Sequence, residues 1–93
     1  KAADQGHDDA IGSLGDVLSD IGGSENEAES VKWYKKAADL GNSDSQYSLG
    51  KCYRYGKGVT IDLSQAIKWF RKAANNGHTN AKIGLRALTG NTT

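Results

Sequence analysis

The side chains in this sequence that could do chemistry are few, and none stands in a constellation that would let it. His7 and His78 each follow a glycine, Gly6 and Gly77. A metal centre needs several ligands converging at ligand spacing, and neither histidine has them, so both read as residues at helix starts. Cys52 is the single cysteine. A thiol works as a nucleophile only with a base beside it; this one falls in an amphipathic helical pattern, where a small buried apolar residue is common. Being alone, it also excludes an intrachain disulfide framework and any multi-cysteine zinc site. Ser13 and Ser48 have no histidine at helical spacing. The loop Gly56-Lys57-Gly58-Val59-Thr60 combines glycines with a lysine, but not at the G-x-x-x-x-G-K-S/T spacing that wraps a phosphate. No catalytic residue, cofactor or metal is therefore assigned, and the chain is not expected to be an enzyme.

The elements that hold these residues follow from composition and repetition. Ninety-three residues supply one small core, and 37% hydrophobic with 25% charged residues excludes both disorder by composition and a membrane-like chain. The longest apolar runs are two residues, as at Ala37-Ala38, so no membrane span is expected. With twelve glycines and no proline, turns fall to Gly, Asn, Asp and Ser. The net charge of +1 conceals a division: residues 1–30 carry one base against eight acids, and residues 31–93 carry eleven bases against three acids.

Lys1-Ala2-Ala3-Asp4-Gln5-Gly6 returns as Lys36-Ala37-Ala38-Asp39-Leu40-Gly41 and as Lys72-Ala73-Ala74-Asn75-Asn76-Gly77, at offsets of 35 and 36 residues. Val31-Lys32-Trp33-Tyr34-Lys35 likewise matches Ile67-Lys68-Trp69-Phe70-Arg71, and Ser13-Leu14-Gly15 matches Ser48-Leu49-Gly50, with Leu85 third. A fixed period of this length marks stacked helical units. Each unit reads as two helices. One runs from about Ser43 to Tyr55, with Ser43 and Gln46 as its cap pair and Gln46, Leu49, Gly50 and Tyr53 inward, Gln46 at the margin. The gap at Gly50 lets the partner helix approach. The other runs from about Leu63 to Asn76, with Ala66, Ile67, Phe70, Ala73 and Ala74 at amphipathic spacing. Asp62 and Gln65 form its capping box, and Gly77, Gly41 and Gly6 sit where left-handed caps are wanted. The loop around Ile21-Gly22-Gly23 is expected to be one residue shorter than its counterpart. Trp33 and Trp69, at one repeat position, are expected to pack between helices.

Tyr47, Leu49-Gly50, Tyr53, Gly56-x-Gly58-Val59, Asp62, Ala66, Trp69, Lys72-Ala73-Ala74 and Gly77 at these spacings resemble the Sel-1-like repeat, a relative of the tetratricopeptide repeat. The resemblance implies an all-α fold, an α/α solenoid of stacked antiparallel helix pairs. Over the chain it implies residues 1–6 as the end of a preceding repeat, 8–41 as a degenerate repeat, 43–77 as a strong one and 79–93 as a half repeat and tail, in a piece of a longer protein. Thr60, Arg86 and Gly12 depart from the pattern, at a place where proline is frequent, at a glycine and at the Tyr47 position. The resemblance implies a protein-interaction scaffold or adaptor that binds a partner protein or peptide on the concave face. The alternatives are a structural spacer in a larger array, or hydrolase activity as proposed for the cysteine-rich branch. One cysteine disfavours that secreted, disulfide-stapled subtype, and no compartment follows from the sequence.

Two surfaces invite partners. Lys32, Lys35 and Lys36 match Lys68, Arg71 and Lys72, a recurring basic ridge without the exposed aromatics that stack bases, so no nucleic acid is expected. The other is the outward stripe of the first helices: Asp44, Ser48, Lys51 and Tyr55, preceded by Asp9, Ser13, Asp16 and Asp20 and followed by Asn80, Gly84, Ala87 and Asn91. Its chemistry changes at each step while packing positions recur. Ser13, Asp16, Asp20, Ser48, Lys51 and Tyr55 are accordingly the expected partner-binding residues, with Tyr55 the anchor. The last helix, about Thr79 to Leu88, lacks a second helix, leaving Ile83 and Leu88 as an apolar strip through which the chain is expected to self-associate or to be held by neighbouring sequence.

Overall fold

The computed structural model describes the backbone of residues 2–90 and the side chains of residues 10–23 and 25–90. Within them lie five helices and no strand: α1 (Ala2–Ile21), α2 (Ser24–Asp39), α3 (Ser43–Tyr55), α4 (Leu63–Asn75) and α5 (Thr79–Thr89). Each helix packs on the next in order. The result is a plate 36 × 34 Å across and 16 Å thick, the depth of two packed helix layers.

The recurring Lys-Ala-Ala-x-x-Gly segment ends α2 and α4 by one mechanism. Gly41 and Gly77 take φ of +100° and +88°. The N–H groups of Gly41 and Asn42 then donate to the carbonyls of Ala38 and Ala37, and those of Gly77 and His78 to Ala74 and Ala73, which satisfies helix ends that would otherwise be orphaned. Gly6 does not repeat this: α1 runs unbroken through it. A glycine permits a left-handed cap without requiring one. The His7 side chain lies outside the described residues. The first inter-helix link is shorter than expected, only Gly22-Gly23, both at positive φ. Here α2 begins early, its acidic first turn of Glu25 and Glu27 suiting a helix start.

The cap of α3 also differs from expectation. Asn42, one residue ahead of Ser43, accepts from the Ser45 N–H at 2.8 Å, because its carbonyl has the reach to the third amide. Gln46 is thereby released to the interior, where it is buried, donates to the Ala38 carbonyl at 3.1 Å and accepts from the Asn76 amide at 3.1 Å. Asp62 caps α4 as expected, accepting from the Gln65 N–H.

Two apolar clusters hold the plate. Val31, Tyr34, Ala38, Leu49, Cys52 and Trp69 form the first, and Ala66, Phe70, Ala73 and Ala81 the second. Tyr53, half-buried, packs against both. Leu88 packs on the second cluster rather than standing open, whereas Ile83 is exposed. The glycines of the inward face serve one aromatic slot used twice. A Cβ at Gly15 would meet the Tyr34 ring at 2.8 Å, and one at Gly50 would meet Phe70 at 2.6 Å. Only glycine lets these rings lie against the helix backbone.

Candidate functional site

Helix α1 and helix α3 lie side by side, and a groove of about 550 Å³ runs between them. Asp16, Ser19 and Asp20 of α1 form one wall, Ser48, Lys51, Cys52 and Tyr55 of α3 the other, Tyr34 of α2 the floor, and Lys57 the rim. A shallower stretch of about 270 Å³ continues it past Ser13, Asn42 and Asp44. The helical period explains this assembly. On α1, Ile11, Gly12 and Gly15 turn inward, which leaves Ser13, Asp16 and Asp20 on the flank facing α3.

All six residues expected from sequence therefore meet in one continuous depression, five in its deeper part and Ser13 in the extension. Asp44 joins them there. The third repeat does not follow. Asn80 and Ala87 are exposed, but Gly84 is buried with its Cα against the Phe70 ring; Asp9 and Asn91 lie outside the described side chains. Sequence inspection missed Ser19, Tyr34 and Lys57. The signal for Tyr34 was its position opposite Phe70 in the repeat, since a tyrosine in a phenylalanine slot has a hydroxyl to place. That hydroxyl donates to Asp16 Oδ1 at 2.7 Å. Burial, then the bond to Asp16, raises the phenol well above its ordinary range, so it stays a donor and holds the carboxylate at the groove floor.

The walls differ in charge: carboxylates on α1, ammonium groups at Lys51 and Lys57 opposite. Lys51 lies 4.8 Å from the Tyr47 ring centroid and Arg54 lies 5.2 Å from that of Tyr55, contacts that restrict long side chains. Tyr55 remains 64% exposed, an aromatic open to a partner.

Cys52 reaches the groove but offers no nucleophile. It is buried, and burial pushes its thiol up to about 11 from 9.0. At pH 7.5 its thiolate fraction is then about 100-fold below that of an ordinary thiol. Iodoacetamide is expected to alkylate Cys52 in the folded chain at least about 100-fold more slowly than in urea, measured by mass spectrometry; equal rates would place the thiol in solvent.

His78 starts α5, as expected, and does so as its N-cap: Nδ1 accepts from the Ala81 N–H at 3.1 Å. Nε2 lies 2.9 Å from Asp44 Oδ1 and the ring stacks on Tyr47 at 4.7 Å. This position is the repeat equivalent of Asn42, the cap of α3. His78→Ala is expected to cost about 1–2 kcal/mol and His78→Asn less than half of that, read from urea midpoints; equal losses would deny the capping role. Among the described residues no group of three or more His, Cys, Asp or Glu side chains could hold a metal ion, and no helix is long and apolar enough to cross a membrane. The basic ridge lies exposed along α2 and α4, where Lys35, Lys68 and Lys72 gather 5.2–5.8 Å from the centroid of the buried Trp69 ring. Trp33, its repeat equivalent, is only half-buried, with Lys36 over it.

The Sel1 repeat model matches residues 13–42 and 43–78. The chain belongs to the Sel1 repeat family. Among solved structures it is similar to a protective antigen of uropathogenic Escherichia coli with an SLR fold, at 37% identity and a TM-score of 0.85, over 92% of this chain and 18% of that one. A Sel1 repeat protein from Oxalobacter formigenes is similar at 32% identity and a TM-score of 0.82, over 88% of this chain and 34% of that one. The chain thus spans a minor part of both. No curated protein matches it. Sel1 repeats are generally non-enzymatic scaffolds for protein interaction, and the helix pairs of this chain are that solenoid.

Proposed function

We propose that the α1–α3 groove receives an extended segment of a partner protein, so that this Sel1 module acts by binding and not by catalysis. What supports this most is the exchange of chemistry between equivalent positions. Asp16 and Asp20 stand where Lys51 and Tyr55 stand one repeat later, and all four line the same groove. Gly15 and Gly50, the rings of Tyr34 and Phe70, and the alanine pairs Ala37-Ala38 and Ala73-Ala74 keep their type between the two repeats, while the four groove positions do not. A segment that fits carries a cationic side chain toward Asp16 and Asp20 and a carboxylate toward Lys51 and Lys57, with an apolar or cationic group on the Tyr55 ring. A structural spacer would make no such demand on the groove. A photo-reactive residue in place of Tyr55 is expected to trap a partner protein that the same residue in place of Lys68 does not. Trapping from the Lys68 position alone would move the contact surface to the outer side of α4, and trapping from neither would favour the spacer.

A further inference from the structure

The basic ridge is the charged surface that the groove leaves unused. Lys35 and Lys36 on α2 and Lys68, Arg71 and Lys72 on α4 are all exposed. Lys35 of α2 and Lys68 and Lys72 of α4 gather round one ring, that of the buried Trp69. The two rows therefore meet between consecutive repeats, inside the array. Like charges one turn apart, as at Lys68 and Lys72, weaken the helix that carries them. A helix end gains from cations in its last turn, where Lys36 and Lys72 stand; Lys35, Lys68 and Arg71 lie outside that turn. Acids do not neutralise them. Helix α4 holds none between Leu63 and Asn75. Those of α2 are Glu25 and Glu27 in its first turn, Asp39 at its end, and Glu29, which takes Lys32 at 3.7 Å. Among the described residues, none of the five cations has a carboxylate within ion-pair distance.

The shape of this face selects among anionic partners. Tyr34 of α2 floors the groove, while Lys32 and Lys36 lie on the opposite side of the same helix and Lys35 on its flank toward α4. The ridge thus belongs to the broad face of the 36 × 34 Å plate that looks away from the groove. A flat surface laid against that face comes within a Debye length of all five cations at once. Four of the five are lysines, point charges on flexible stems without the rigid fork of arginine. Such groups suit anions that move laterally better than one fixed carboxylate. Stacking on bases is closed to this face, because Trp69 is buried and Lys36 covers the half-buried Trp33. We propose that the ridge seats the module on an anionic phospholipid surface, with the α1–α3 groove turned away from the membrane. The lipid contact does not depend on what the groove binds.

Co-sedimentation of the 93-residue chain with lipid vesicles tests it. The chain is expected to bind vesicles of phosphatidylcholine carrying about one-third phosphatidylserine, and not phosphatidylcholine alone. Binding should fall as salt screens the charges. Lys35→Gln and Lys72→Gln are each expected to weaken partition about fivefold, the share of one cation near such a surface, and the double variant about 25-fold. Lys82→Gln removes the same charge from exposed α5, and it should leave partition within about twofold. Circular dichroism confirms that the variants remain folded. An equal loss with Lys82→Gln would reduce the effect to net charge and overturn the proposal. So would a chain that ignores anionic vesicles at low salt, whether or not polyglutamate or duplex DNA captures it.

Discussion

Phe70→Ala is expected to destabilise the fold by about 3–5 kcal/mol, a large share of the roughly 5–15 kcal/mol that holds a domain of this size. The Phe70 ring is 1% exposed and joins three helices. It lies against the backbone of α3 at Gly50 and of α5 at Gly84, with Tyr47 at 5.6 Å. Since both facing residues are glycines, no side chain stands ready to fill the space that truncation leaves, and a cavity that cannot collapse costs most. Phe70→Leu, which keeps most of the volume, should cost less than half as much. Urea unfolding followed by circular dichroism reads both. A loss below 1 kcal/mol for the alanine variant would mean that Phe70 does not join these helices.

Gly58→Ala is expected to cost about 2–4 kcal/mol for a different reason. Gly58 sits at φ +79°, where an L side chain costs about 1–2 kcal/mol. Its missing Cβ would also strike the Glu27 carbonyl oxygen, with the Ala28 nitrogen at 3.0 Å. Those atoms belong to the backbone of α2, so the α3–α4 loop would have to lift from the helix it rests on. Gly77→Ala separates the two contributions. Gly77 has a similar φ of +88° but no atom within 4 Å of an added Cβ, so it should lose about 1–2 kcal/mol, the conformational part alone. If both variants lose the same amount, the loop does not press on α2.

The fold was legible because packing repeats. Lys-Ala-Ala-x-x-Gly marks two helix ends, Gly50 declares the ring that needs room, and Asp62 with Gln65 opens α4, all from one period. The misreadings came where a local signal had a competitor. Ser43 is a good cap by type, but Asn42 reaches the same amides first. Gly6 carries the glycine of a terminus, yet α1 runs through it. Leu88 looked unpartnered from its place in an unpaired helix, yet the second cluster extends far enough to take it. The groove was half legible. Helical phase put Asp16, Asp20, Ser48, Lys51 and Tyr55 on outward stripes, but only the spacing of α1 and α3 makes two stripes into two walls. The Tyr34 floor was missed because the repeat labels that position as core, and its ring is core. Its hydroxyl is what faces the groove.

Peptides selected from a random display library on the intact chain, then titrated against variants by calorimetry, test the central claim most directly. Tyr55→Ala and Lys51→Glu are each expected to weaken the selected peptides at least about tenfold, as loss of an interface anchor does. Lys68→Glu, on the outer face of α4, should leave affinity within about twofold. Affinity lost with Lys68→Glu and kept with both groove variants would contradict the assignment and place the interaction on the basic ridge.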